Sequence, residues 1–134
     1  MIEYNKLYEL TKDLKILYVE DDIAFQKESY EMFNYFFIDI DLANNGEDAL
    51  AKYLQFYKEN NSYYDIVITD ISMPKMNGLD MCREIRKVNN NIPIIITTAH
   101  NDKDFLHKAI DVGISKFVTK PIDMHQLIDN IKRV

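Results

Sequence analysis

Apolar residues recur along the chain in two alternating rhythms. Five short runs are compact: "KILYV" ending at Val19, "IDIDLA" from Ile38, "DIVIT" ending at Thr69, "IPIIIT" ending at Thr97 and "KFVT" ending at Thr119. Each predicts a strand. Four of them are continuous in β-branched or aromatic residues, as parallel strands covered by helices on both faces should be, whereas Ile38 to Ala43 alternates and predicts an edge strand. Between the runs the period lengthens to that of helices. Phe25, Ser29, Met32, Phe33, Phe36 and Phe37 form one stripe; Ala49, Leu50, Tyr53, Leu54 and Tyr57 form a second, with Glu47 and Asp48 in its first turn and Lys58 in its last. Leu79, Cys82, Ile85 and Val88 mark the third helix. Phe105, Leu106, Ala109 and Ile110 mark the fourth, closed by Gly113, and Met124, Leu127, Ile128 and Ile131 mark the fifth, with Asp123 and Gln126 as its capping box. These stripes are assigned to the core, with no ligand.

The order is β-α five times, with no linker, internal repeat or second zone of composition, which makes one doubly wound α/β domain from residue 15 to 134. Residues 1–14 are an N-terminal extension. In it Tyr4, Leu7, Tyr8 and Leu10 suit a short helix leaning on the domain, although a terminus is expected to fray. A chain of 134 residues is long enough to bury roughly two thirds of its unfolded surface. With 47% apolar and 28% charged residues the composition is that of a globular protein. The net charge of −6, with Lys and Arg scattered, disfavours direct nucleic-acid binding. The single cysteine, Cys82, excludes an internal disulfide framework and is expected to pack as an apolar group in a cytoplasmic protein. No uncharged run reaches membrane-spanning length, so no membrane insertion is expected.

In doubly wound folds ligands bind beyond the carboxyl ends of the strands. Those ends carry Glu20, Asp21 and Asp22 after the first strand, Asp70 after the third, Thr98 after the fourth and Lys120 after the fifth. Singly, each has an ordinary reading: Asp22 as an N-cap, Thr98 as a satisfied strand end, Lys120 as a surface lysine. Together they make an acidic cluster beside a hydroxyl and an ammonium. Ionised carboxylates about 4 Å apart repel by roughly 4 kcal/mol at an effective dielectric near 20, and a divalent ion relieves this. With oxygen ligands few in number and no paired His or Cys, Mg²⁺ fits better than Zn²⁺ or Ca²⁺. His100, His107 and His125 are read as surface residues, the lesser alternative being that His100 borders the site. Such a set suits phosphoryl chemistry with Asp70 as nucleophile, and it explains why a buried strand should end on a carboxylate.

Four segments, "ILYVEDD", "DIVITDISMPKMNGLDM", "PIIITTAHND" and "GISKFVTKPID", stand in the order and spacing of the receiver domain of bacterial two-component response regulators, and the chain resembles that family from about Lys15 to Val134. The resemblance implies a flavodoxin-like (βα)5 fold with a five-stranded parallel sheet in the order 2-1-3-4-5. It implies that Asp70 is the phosphoacceptor and that Mg²⁺ is held by Asp21, Asp70, the backbone carbonyl of Ser72 and, through water, Glu20. Thr98 corresponds to the switch hydroxyl and Phe117 to the switch aromatic, a position where Tyr is also common. Lys120 corresponds to the family's lysine, with a cis bond to Pro121.

Implied too are phosphotransfer from a sensor histidine kinase or histidine phosphotransfer protein docking near the first helix, and a change in the surface of the fourth helix, fifth strand and fifth helix. A downstream effector protein, or an output domain outside this chain, would read that surface, and a phosphorylation-dependent dimer is among the states the resemblance allows. Ser72 and His100 fall where the family tunes phosphoryl lifetime. Besides self-catalysed phosphotransfer and autodephosphorylation no enzyme activity is expected. Two rivals are a degenerate receiver acting without phosphorylation, opposed by the complete residue set, and a hydrolase of the haloacid dehalogenase type, opposed by Ser72 where that family has a second Asp and by the lack of length for a cap.

Overall fold

The computed structural model describes residues 6, 9, 11–71, 73, 75–98, 103–114 and 116–132, with the side chains of 103–106 and 132 left aside. The strands are β1 (Lys15–Val19), β2 (Asp39–Ala43), β3 (Ile66–Asp70), β4 (Ile94–Thr98) and β5 (Lys116–Thr119); the helices are α1 (Ile23–Phe33), α2 (Gly46–Asn60), α3 (Gly78–Val88), α4 (Lys103–Asp111) and α5 (Met124–Lys132). All neighbouring strands pair in parallel, in the order β2-β1-β3-β4-β5. The alternating strand is therefore at an edge, as its pattern required.

Side chains of the sheet divide between two cores. Leu17, Val19, Val67, Ile94 and Ile96 meet residues of α2, α3 and α4, among them Ala49, Tyr53, Cys82, Ile85 and Ala109. Ile16, Tyr18, Ile66, Ile68, Ile95 and Val118 meet Phe33 of α1 and Leu127, Ile128 and Ile131 of α5. Short polar side chains start the helices. Asp22 accepts from the Phe25 N–H at 3.0 Å, Asn45 from Asp48 at 2.8 Å and Asn77 from Asp80 at 2.9 Å, each satisfying a donor that the first turn cannot pair. Asp123 caps α5 through the N–H groups of His125 and Gln126. Gly113, at φ +87°, closes α4 in the left-handed conformation that glycine adopts most readily.

Several expectations need correction. β2 begins at Asp39, leaving Ile38 exposed. α1 stops at Phe33, so Phe36 and Phe37 are buried from the turn that follows rather than from a helix. Leu54, Tyr57, Val88 and Ile110 stand on the rims of their stripes and are exposed, not core. Tyr57 instead stacks on Tyr63, with ring centroids 4.3 Å apart, and Phe56 rather than Leu54 reaches the core. Periodicity places a residue on a helix, but the width of the covered face is decided by the neighbouring elements. Ahead of β1, Thr11 is fully buried and its hydroxyl donates to the Phe36 carbonyl, while Tyr4, Leu7, Tyr8 and Leu10 lie outside the described residues. Among the described residues, no helix is long and apolar enough to cross a membrane.

Candidate functional site

Strand direction brings the carboxyl ends of β1, β3, β4 and β5 to one edge of the sheet. Asp70 and Thr98 are the last residues of β3 and β4, each one position inside its strand rather than beyond it. Glu20 directly follows β1 and is 0% exposed, its N–H bonded to the Ala43 carbonyl at 3.0 Å. Glu20, Asp21 and Asp70 each present a carboxylate oxygen, and these oxygens lie within 4.8 Å of one another. At that spacing two ionised carboxylates repel by roughly 3.5 kcal/mol at an effective dielectric near 20. The cluster is made of hard oxygen donors without His or Cys, the set that suits a water-retaining divalent cation such as Mg²⁺.

One cation is already there. The Lys120 ammonium lies 2.7 Å from Glu20 Oε1 and 3.0 Å from Asp70 Oδ2, bridging the two acids. The Lys120 backbone N–H donates to the Thr98 carbonyl at 2.9 Å and the ammonium sits 4.7 Å from the centroid of the Phe25 ring; the Lys120–Pro121 bond is cis. Burial pulls the Lys120 ammonium downwards, but its hydrogen bonds to Glu20 and Asp70 and their charges outweigh that, and its pKa is raised. Burial acts on Glu20 in the opposite sense to the lysine. Desolvation outweighs the Lys120 and Asp22 hydrogen bonds, and with the nearby Asp70 charge it pushes the Glu20 carboxyl up from 4.5 to about 7.

Asp70 is further held by its own chain, because Oδ1 accepts the Ile71 N–H at 2.7 Å. The loop that follows is seated on two glycines. The Gly78 N–H donates to the Ile71 carbonyl at 2.7 Å, and the Gly46 N–H to the Met76 carbonyl at 3.0 Å. Both approaches need a missing side chain: a Cβ on Gly78 would lie 2.1 Å from the Asp70 carbonyl oxygen, and one on Gly46 would lie 2.3 Å from that of Met76.

The structure thus brings together Glu20, Asp21, Asp70 and Lys120, with Thr98 buried at the end of the adjoining strand. Phe117, half-buried on β5, packs against the α2–α4 core. Asp22 is a helix cap. Ser72 and His100 lie outside the described residues, and His107 and His125 are exposed. Two residues have roles that the hydrophobic pattern does not show. Phe25 packs against the α1–α5 core, as its stripe predicts, and its ring also lies against the Lys120 ammonium. Gln26, nearly buried on α1, reaches the Glu20 carbonyl at 3.1 Å, that of Ala43 at 3.2 Å and Asn44 Oδ1 at 3.0 Å, tying the loops after β1 and β2 together. A polar residue one turn ahead of Ser29 and two ahead of Phe33 on an inward stripe was the available signal.

The family model described as response regulator receiver domain matches residues 16–132. The response regulator ArlR of Staphylococcus saprophyticus is 35% identical over 121 residues, covering 88% of this chain and 50% of that protein. The transcriptional regulatory protein CpxR homolog of Haemophilus influenzae is 32% identical over 120 residues, covering 90% of this chain and 49% of its own. The chain therefore spans about half the length of these relatives. Among solved structures, that of the CheX-CheY-BeF3-Mg+2 complex from Borrelia burgdorferi superposes with a TM-score of 0.76 at 28% identity, over 94% of this chain and 92% of that one.

Proposed function

Because the chain belongs to the family of response regulator receiver domains, we propose that it is a signalling switch in which Asp70 accepts a phosphoryl group from a sensor histidine kinase or a histidine phosphotransfer protein. The observation that best supports this is the Lys120 ammonium held between Glu20 and Asp70 at the open end of the sheet, with Asp21 completing the acidic group. Asp70, fixed by Lys120 and the Ile71 N–H, presents a carboxylate oxygen that attacks phosphorus; the bond to the donor's leaving group breaks and its electron pair departs with that group. The Lys120 ammonium, preorganised before the donor arrives, then balances the incoming phosphoryl oxygens. Asp21, Asp70, the Ser72 carbonyl and, through water, Glu20 are the groups that would hold Mg²⁺. Bound there, the ion supplies charge neutralisation for those same oxygens.

Thr98 and Phe117 would carry the signal outward. The Thr98 hydroxyl turns to the phosphoryl group and Phe117 moves into the space so left, altering the surface of α4, β5 and α5 that an effector reads. A two-state change of this kind needs a differential contact, and the new Thr98 bond provides it.

The test is incubation of the protein and of Asp70→Asn with Mg²⁺ and acetyl phosphate, followed by intact mass. One phosphoryl adduct on the wild type alone is expected. Equal labelling of the variant would remove Asp70 from the mechanism, and labelling of neither would favour a receiver that works without phosphorylation.

A further inference from the structure

One buried group beside Asp70 takes no part in the switch described above. Thr97 is 0% exposed, and its hydroxyl meets no hydrogen-bond partner among the described residues. Such a group is costly, because its bond to water is given up on folding and nothing replaces it; a valine of almost the same shape would avoid the cost. A hydroxyl kept there needs a use.

Register and alternation locate it. Thr97 is the partner of Asp70 on one side and of Val118 on the other. Ile95, two residues earlier, faces the α1–α5 core, whereas Ile94 and Ile96 face the opposite one. Side chains alternate along a strand, so Thr97 shares the face of Ile95. Asp70 shares the face of Ile68, which belongs to that same α1–α5 core. The two side chains are therefore lateral neighbours on one face of adjoining strands. Thr98 points to the other face, with Phe117. The two threonines approach Asp70 from opposite sides of the sheet.

In the resting site both Asp70 oxygens are engaged, Oδ1 by the Ile71 N–H and Oδ2 by Lys120. We propose that the Thr97 hydroxyl is a reserve donor to the Asp70 carboxyl, taken up when the ammonium turns to the phosphoryl oxygens, and that it shortens the lifetime of the phosphorylated state. In hydrolysis the oxygen of a water molecule bonds to phosphorus and the bond from phosphorus to Asp70 breaks. Its electron pair returns to the carboxylate, one water proton stays on the oxygen now bonded to phosphorus, and the other passes to a phosphate oxygen or to solvent. Negative charge grows on the Asp70 oxygens as that bond breaks, so a neighbouring O–H bonds more strongly to the transition state than to the acyl phosphate. This inference rests on Asp70 being the phosphoacceptor.

The experiment compares wild type, Thr97→Val and Thr97→Ser. Each is labelled with acetyl phosphate and freed of donor, the decay of the adduct is followed by intact mass, and Mg²⁺ affinity and melting temperature are measured alongside. Thr97→Val is expected to prolong the half-life about two- to tenfold, the range carried by one neutral hydrogen bond. Mg²⁺ affinity should stay unchanged and the melting temperature be equal or higher, while Thr97→Ser, which keeps the hydroxyl, decays within twofold of the wild type. Decay of Thr97→Val at the wild-type rate overturns the inference. So does failure of that variant to fold, which would mean that the hydroxyl is already bonded at rest. An unlabelled wild type, or a labelled Asp70→Asn, overturns the phosphoacceptor reading instead.

Discussion

Replacing Gly78 by alanine should damage the fold and the site together. Gly78 opens α3 without an unusual backbone conformation, so an added methyl is resisted by what it meets rather than by its own φ. It meets main chain: the Asp70 carbonyl oxygen at 2.1 Å, the Ile71 Cα at 3.0 Å and the Asp70 carbonyl carbon at 3.1 Å. A relaxed carbon–oxygen contact needs about 3.3 Å, so the start of α3 and the end of β3 must part by on the order of 1 Å. Forced backbone shifts of this kind cost about 1–3 kcal/mol. The stretched bond from the Gly78 N–H to the Ile71 carbonyl adds about 1 kcal/mol. The better helix propensity of alanine returns up to about 1 kcal/mol. The net loss is about 1–3 kcal/mol, or roughly 3–11 °C in melting temperature for a domain of this size.

Because the moving atoms belong to Asp70 and Ile71, phosphorylation by acetyl phosphate should also slow by tenfold or more, as misplacement by an ångström does in general. Gly113→Ala is the control. Among the described residues its Cβ would meet the Arg86 Nε alone, at 3.9 Å, and its cost comes from φ +87°, far from the site. It should melt earlier but label at the wild-type rate once folded. Circular dichroism and intact mass give both readouts. Should Gly78→Ala melt within a degree of the wild type and label as fast, the close seating of α3 on β3 would be wrong.

Other outcomes follow from the same coordinates. Glu20, raised to about 7, binds a proton in the folded state that the unfolded chain has already lost above 4.5. Its contribution to metal-free stability is therefore lost as pH rises from about 4.5 through 7, and Mg²⁺, which favours the ionised form, should raise the melting temperature more at pH 8 than at pH 6; scanning calorimetry at both values checks this, and an equal rise would count against Glu20 as the coupled group. Gln26→Leu would leave the Glu20 and Ala43 carbonyls without their side-chain donor, costing about 1–3 kcal/mol and weakening Mg²⁺ binding, both measurable by calorimetry. Burial pushes the Cys82 thiol up to about 12, so iodoacetamide should fail to modify the native protein at pH 8 and react in guanidinium, as read by mass.

The architecture was legible because parallel strands covered on both faces leave unbroken apolar runs, and because Asp22, Asp123 and Gly113 announce helix ends locally. Membership of the site was legible for a related reason: strand ends converge, so Glu20, Asp21, Asp70 and Lys120 needed only to be read off in order. What the pattern left out is tertiary. Nothing in the spacing says that Lys120 bonds Glu20 at 2.7 Å as well as Asp70 at 3.0 Å, that Phe25 touches the ammonium as well as the core, or that Leu54 and Ile110 stay exposed. Thr97 and Thr98 look alike in sequence, and only alternation against two identified cores separates them.

The Thr11 hydroxyl, buried against the Phe36 carbonyl, lies five residues upstream of the stretch that the family model recognises. Recombinant work that trims such a protein to its recognised boundaries would discard a fastening at the far end of α1, the helix that supplies Gln26 and Phe25 to the reactive edge. Where a domain begins by homology and where it begins mechanically are thus different addresses in this chain.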